Sequence, residues 1–271
     1  MLSRLLKRII ILFVFIIILG SIYYGYVFLT FPTPTCTDGI KNGTEEGVDC
    51  GLLACNKSCE EEVASPEILS TRLVPVGESD YDFVAEIKNP HQDIGSSEVV
   101  FELVLFNSSD GEVFKRTGFF YLLPGQTRFL ILSALPAGTA VRADLKIKSV
   151  LWQKLESING ANFLIPMKEY RVGPGGISSV LSGVVLNDSD FDFGIVDIDI
   201  VLLGESGRII GANKTDVRSL KAHEKRSFES NWSFPVSGQV KDIYVRAYTN
   251  IFENFNFVKQ YGSGQEKFQK Y

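Results

Sequence analysis

The sequence predicts a mainly β protein with an N-terminal transmembrane helix, a short disulfide-rich segment and two tandem antiparallel β-sandwiches. Three observations support this prediction. One uninterrupted apolar run lies near the N-terminus, all four cysteines follow it closely, and most of the remaining chain alternates between apolar and polar residues. Alternation with period 2 is typical of strands that have one buried face and one solvated face.

The apolar run begins at Ile9, ends at Phe31 and contains no charged residue, so it predicts a transmembrane helix over residues 9–31. A helix needs about 20 apolar residues to cross the hydrocarbon core of a bilayer. A secretory signal is the alternative, but its apolar region is usually about 7–15 residues long and ends at a small-residue cleavage site. Gly20 and Ser21 are followed by an isoleucine and two tyrosines. We therefore predict an uncleaved anchor.

Charge is distributed asymmetrically around the run. Arg4, Lys7 and Arg8 precede it, and no acidic residue occurs before Asp38. Positive residues favour the cytoplasmic side, which predicts a single-pass protein of the cell membrane with residues 1–8 in the cytoplasm and its domains outside. The formal net charge of the chain is −5, and all acidic residues lie beyond the run. This balance argues against nucleic acid as a partner.

The cysteines define a segment at residues 32–64. Cys36, Cys50, Cys55 and Cys59 are separated by 13, 4 and 3 residues. Outside the cytoplasm, an even number of clustered cysteines indicates disulfides. Zinc is the competing interpretation, but zinc sites usually bring close paired ligands at both ends, and no histidine is near. We predict two disulfides, and three connectivities stay open.

The same segment contains oxygen ligands that would suit calcium. Asp38, Asn42, Glu45 and Asp49 lie between the first two cysteines, together with three glycines that let the chain turn. Calcium prefers carboxylate and amide oxygens, although the pattern differs from an EF-hand. We therefore predict a solvated turn stapled by disulfides and no cofactor, and calcium is the alternative.

This segment resembles a cysteine-rich box of prokaryotic surface proteins. The stretch CTDGIKNGTEEGVDCG, which begins at Cys36, matches the pattern CxDGxxNGxExxxDCG of that box. Leu52 departs from the second glycine of the family pattern, and the last two cysteines are three residues apart instead of two. The resemblance implies an extracytoplasmic setting and no catalytic role.

Residues 65–150 and 177–258 predict two β-sandwiches of about 85 residues, each with six or seven short strands. A linker at 151–176 and a flexible, polar tail at 259–271 complete the chain. In the first sandwich, the core residues of one strand alternate with Val84 and its polar neighbours, which we expect to face water. Four apolar residues recur 97 positions later: Phe101, Leu103, Leu105 and Leu123 correspond to Ile198, Ile200, Leu202 and Leu220.

The second sandwich resembles the FxLYD type of immunoglobulin-like domain of extracytoplasmic bacterial and archaeal proteins. The residues that carry the resemblance are 182–187 (SGVVLN), 196–203 (VDIDIVLL), Gly207, Ile210, Gly211 and Leu220. The first sandwich is a more distant match. The order of anchor, cysteine box and tandem immunoglobulin-like domains resembles single-pass surface proteins of small-genome prokaryotes, which implies no enzyme activity.

Six Asn-x-Ser/Thr triplets begin at Asn42, Asn56, Asn107, Asn187, Asn213 and Asn231. They are candidate N-glycosylation acceptors. Asn, Ser and Thr also cluster in turns without any modification. Asn231 lies in a predicted strand, so the first five are the candidates.

Three functions compete at this point. The first is a non-catalytic, membrane-anchored binding or structural protein whose partner outside the cell is a protein or a glycan. The second is an accessory subunit of a membrane, envelope-assembly or secretion complex. The third is a metal-dependent enzyme that uses the carboxylates of the cysteine segment. No nucleophile, metalloprotease or phosphate-binding motif occurs, and His91 and His223 lie in predicted loops. We therefore predict the first function and no enzyme.

Overall fold

The structure is a computed structural model that describes residues 4–30, 35–59, 63–155 and 161–262. The chain divides into two compact units, Met1–Val63 and Ala64–Tyr271, and each is described by itself. The predicted fold class is confirmed, because the chain contains one long apolar helix, a disulfide-bonded segment and four small antiparallel sheets.

The helices are α1 (Arg4–Thr30), α2 (Leu52–Cys55) and α3 (Phe255–Tyr261). The strands of the first sandwich are β1 (Glu67–Val76), β2 (Asp80–Lys88), β3 (Ile94–Phe106), β4 (Glu112–Leu122), β5 (Thr127–Pro136) and β6 (Arg142–Lys154). Those of the second are β7 (Phe163–Val172), β8 (Ser179–Asn187), β9 (Phe193–Leu203), β10 (Ile209–Leu220), β11 (Lys225–Trp232) and β12 (Asp242–Tyr248). Short 3₁₀ turns lie at Pro174–Gly176, Glu205–Gly207 and Ile251–Glu253.

Helix α1 contains the stretch Leu6–Val27, which is long and apolar enough to cross a membrane and has none of its length buried. A signal sequence near an N-terminus can meet the same criteria of length and composition. The helix begins five residues before the predicted start, because the basic residues that flank the apolar run also favour helix. The predicted last residue, Phe31, lies outside the described residues.

Both sandwiches have the same topology. In the first, the sheets have the strand orders β1-β2-β5 and β4-β3-β6; in the second, β7-β8-β11 and β10-β9-β12. All pairs are antiparallel. The repeat in the sequence is therefore a repeat of strand order.

A fully buried asparagine marks the same position in each sandwich, at the end of the second strand. The amide nitrogen of each donates hydrogen bonds to two backbone carbonyls, which are those of Ile94 (2.7 Å) and Leu123 (2.9 Å) for Asn89, and those of Phe191 (2.7 Å) and Lys221 (2.9 Å) for Asn187. Each asparagine thus ties two loops together at one end of its sandwich.

These equivalent asparagines are 98 residues apart, and the turn that they hold follows the same spacing. Leu122 and Leu220 are both fully buried, and Gly125 and His223 both adopt positive φ, at 61° and 58°. The predicted correspondence of Leu123 with Leu220 is therefore wrong by one residue, because Leu123 belongs to the turn and Leu122 to the core.

Each sandwich has its own apolar core, and a third core lies between the two sandwiches. Val84 and Ile131 of the first sandwich pack with Val201 and Ala212 of the second, and all four are buried. The expectation that Val84 faces water is wrong, because the sheet β10-β9-β12 covers it. Strands β2 and β9 are consequently buried on both faces, and the four sheets stack in layers.

The structure differs from the predicted linker and tail. Residues 151–176 include the end of β6 and the whole of β7, which pairs with β8. The predicted tail begins inside α3, and Gly262 forms an isolated bridge with Leu155. The rest of that tail, 263–271, lies outside the described residues.

Candidate functional site

Asp49, a predicted calcium ligand, binds backbone N–H groups in the structure. Its two carboxylate oxygens accept hydrogen bonds from the N–H of Asp38 (3.1 Å) and of Gly39 (2.9 Å). Gly39 has a φ of 73°, in the left-handed region that glycine adopts without steric cost. Asp49 thus ties the two ends of the loop together.

The other three predicted ligands belong to the same hydrogen-bonded loop. The amide of Asn42 donates to the carboxylate of Asp38 (2.8 Å), and the buried carboxylate of Glu45 accepts from the N–H of Asn42 (3.1 Å). The hydroxyl of Thr35 also donates to Asp38, and this bond is the main cause that lowers the pKa of Asp38. A calcium ion would have to replace these donors.

The disulfides join Cys36 to Cys55 and Cys50 to Cys59, one of the three connectivities that the sequence leaves open. A Cβ on Gly47 would lie 2.7 Å from the sulfur of Cys50, so this position accepts only glycine without a local shift. Glu45 lies close to the first disulfide. Both sulfurs there are bonded to each other, so they are not thiolate ligands.

The candidate glycosylation asparagines differ in access. Asn187 is fully buried and its amide nitrogen holds two carbonyls, so it is not an acceptor in the folded chain. The amide nitrogens of Asn42 and Asn213 also donate hydrogen bonds. Asn56 is exposed, and Asn107 uses its side-chain oxygen to hold a turn. Asn56 and Asn107 are the accessible candidates.

A buried ion pair joins the two sandwiches. The guanidinium of Arg128 on β5 lies 3.0 Å from the carboxylate of Asp199 on β9, and the two side chains are 8% and 3% exposed. Arg128 also donates to the carbonyl of Tyr121 (3.3 Å) and lies over the rings of Tyr121 and Tyr248, at 4.6 and 5.2 Å from their centroids. We call these four residues and Asp197 the joint.

Hydrogen bonds complete the joint. The hydroxyl of Tyr121 donates to Asp197 (2.7 Å), and the hydroxyls of Tyr244 and Tyr248 lie 2.7 Å apart. Burial raises the pKa of Tyr121 well above its ordinary value. Burial also raises the pKa of Asp199, although Arg128 opposes that shift. The joint is therefore a largely buried polar network in which each charged group has a partner.

The sequence alone does not predict the joint. The one signal in the sequence is the Asp-Ile-Asp triplet at 197–199, which places two carboxylates on one face of an otherwise apolar strand. From the sequence of this strand alone, the face that carries Asp197, Asp199 and Val201 is predicted to face solvent. The partner, Arg128, lies 71 residues earlier and follows a turn.

A cleft of about 900 Å³ opens beside the joint. Residues 116–121 of β4 and 128–132 of β5 form one side, and β9 with residues 249–250 and 253–255 forms the other. Asp197 and Asp199 line it as well. The two histidines lie elsewhere: His91 packs edge-on against Trp152, and His223 is 3.0 Å from the exposed Asp190. The cleft is the candidate binding site.

A smaller groove of about 170 Å³ lies elsewhere between the sandwiches and is lined by Asp82. This carboxylate is 5% exposed and accepts a hydrogen bond from the N–H of Ala134 (2.9 Å). Burial raises its pKa above the ordinary value of 3.8. The folded state therefore favours the protonated form, so the contribution of Asp82 to stability is present below pH 3.8 and is lost as the pH rises through the folded pKa.

We expect Asp82→Asn to become more stable relative to the wild type as the pH rises from 3 to 7, because only the wild type then carries a buried carboxylate; a tenfold change in the protonation equilibrium corresponds to about 1.4 kcal/mol. The amide oxygen of asparagine still accepts from the N–H of Ala134, and it carries no charge to desolvate. Urea unfolding of both proteins at the two pH values measures the change. An equal stability difference at both pH values would contradict the assignment.

No protein-family model and no curated protein matches this chain. Among solved structures, the similar chains include red sea bream transglutaminase, at 12% identity and a TM-score of 0.22 over 73% of this chain and 30% of that one. They also include a Bacteroides uniformis β-glucuronidase (11%, TM-score 0.21, 63% and 24%) and latent PorU of Porphyromonas gingivalis (12%, TM-score 0.20, 69% and 20%). The chain spans less than a third of the length of these proteins. Similarity at this level carries no argument about function.

Proposed function

We propose that this chain is a non-catalytic, single-pass membrane protein that holds a rigid pair of immunoglobulin-like sandwiches outside the cell to bind a partner. The observation that carries the proposal is the joint: a buried ion pair and a shared apolar core make the two sandwiches one body. A rigid pair keeps the cleft in one shape, which lowers the entropic cost of binding. The resemblance to tandem FxLYD-type surface proteins agrees with this role.

The anchor and the disulfides support the location. The stretch Leu6–Val27 exposes apolar side chains that a bilayer would cover. Two disulfides in the segment that follows favour an oxidising compartment. Basic residues before the apolar run favour a cytoplasmic N-terminus.

Protease treatment of intact cells tests the topology. With epitope tags at both ends, we expect external protease to remove the C-terminal tag and to leave the N-terminal tag protected until the membrane is permeabilised. Carbonate extraction should leave the full-length chain in the membrane fraction. Protection of the C-terminal tag, or release of a shortened chain, would overturn the proposed location.

A further inference from the structure

The same edge is closed in the second sandwich and open in the first. In the second, the amide of Asn213 on β10 donates to the carbonyl of Asn231 on β11 (2.8 Å). The indole of Trp232 on β11 donates in the opposite direction, to the carbonyl of Ala212 (3.2 Å). These two bonds join the neighbouring edges of the two sheets.

In the first sandwich, Arg116 occupies the position of Asn213. Each lies opposite the equivalent core residue of the central strand, Leu103 or Ile200. Within the described residues, Arg116 has no hydrogen bond or ion pair that joins it to β5, and it is exposed. The cleft in the first sandwich lies at the position where, in the second sandwich, these two hydrogen bonds join the sheets.

Gly118 widens this opening. It lies opposite Phe101 in the register, and a Cβ at this position would be 2.7 Å from the Phe101 ring. Phe101 is a core residue that nevertheless lines the cleft. Along β4, the cleft is therefore lined by the apolar ring of Phe101 next to the cationic side chain of Arg116.

The strands that border the opening have free edges. Strand β4 pairs with β3 and strand β5 pairs with β2, and in the described chain neither has a second partner. Residues 116–121 line the cleft without interruption, and six residues of a strand span about 20 Å. An edge of this length has the hydrogen-bonding groups to accept one more short strand.

The charged side chains that line the cleft indicate which side chain an added strand would carry. Arg128 is paired with Asp199, Asp197 accepts from Tyr121, and Glu253 accepts from Asn250. Among the described residues that line the cleft, Arg116 and Lys214 have no acidic group within 4.0 Å. Among the residues of β4 that line the cleft, Arg116 is the one cationic side chain, so an acidic side chain of an added strand would lie beside it.

We propose that the cleft binds an extended segment of a partner polypeptide, which adds to β4 as a strand. An acidic side chain of the segment pairs with Arg116, and an apolar side chain two residues away lies over Gly118 and contacts Phe101. This inference rests on the proposed binding role and names its site and its class of partner.

The test uses the full chain in detergent micelles and a display library of eight-residue peptides in which Asp or Glu is fixed two positions from Leu, Ile or Val. We expect selected peptides to bind with a Kd well below about 1 mM and to protect the amides of residues 116–121 from hydrogen exchange. Arg116→Glu should weaken binding at least tenfold. The control Arg72→Glu, at an exposed strand arginine outside the cleft, should stay within twofold.

The inference would be overturned if no peptide of this class binds, if the selected peptides bind Arg116→Glu as well as the wild type, or if protection falls outside β4. Self-association of the chain through this edge would also overturn it, because the occupant would then be a second copy. Failure here leaves the topology assay untouched, so the two proposals fail separately.

Discussion

Replacing Arg128 by methionine is expected to lower the free energy of unfolding by about 3–5 kcal/mol, because Asp199 would remain buried without its counter-ion. The methionine keeps most of the apolar stem of the arginine and removes the charge. Urea unfolding of the full chain in detergent micelles, followed by tryptophan fluorescence, measures the loss. Trp232 lies in the core of the second sandwich, so its fluorescence reports on the packing of that core.

Two further variants show whether the cost comes from the buried charge. Arg128→Met combined with Asp199→Leu should recover much of the lost stability, because replacing both members of a buried pair by apolar residues is often close to neutral. Arg171→Met, at an exposed ion pair with Glu169, should cost less than about 1 kcal/mol. An equal cost for Arg128→Met and Arg171→Met would contradict the structural role of the joint.

Asn187→Ala is expected to cost about 2–4 kcal/mol, since it leaves the buried carbonyl of Phe191 and the partly buried carbonyl of Lys221 without their donor, and an unsatisfied buried acceptor costs about 1–3 kcal/mol. The same measurement applies, and Asn89→Ala should have a similar effect in the first sandwich. Asn213→Ala is the matched control, because this asparagine is half exposed and donates one hydrogen bond. A cost for Asn187→Ala no larger than that for Asn213→Ala would show that the buried asparagine does not hold its loops.

Much of the architecture could be predicted from local patterns. The apolar run predicts α1, the clustered cysteines predict two disulfides, and the recurrence of Phe101 as Ile198 predicts a repeated strand. Each signal depends on residues that are close in sequence or on a period that the chain itself displays. The repeat predicts Leu123 where the structure has Leu122 as the equivalent of Leu220, because the sequence does not distinguish a leucine in a turn from a leucine in the core.

The candidate site could not be predicted in this way. Taken alone, Asp199 has the position of a solvated residue on one face of a strand, and its burial depends on a sheet from the other sandwich. The sequence also does not show where the cleft opens. Arg116 and Asn213 are both polar strand residues at equivalent positions, but of the two only Asn213 forms a hydrogen bond to the neighbouring sheet.

The sequence by itself determined the apolar helix α1, the disulfide-bonded segment and the repeat of two sandwiches, because the spacing of apolar, cysteine and turn residues along the chain sets these features. Only the tertiary structure decided which cysteines pair, that the sandwiches share a core, and where the cleft opens. Those features depend on contacts such as that between Arg128 and Asp199, 71 residues apart, whose energies exist only once two separate sheets meet and exclude water.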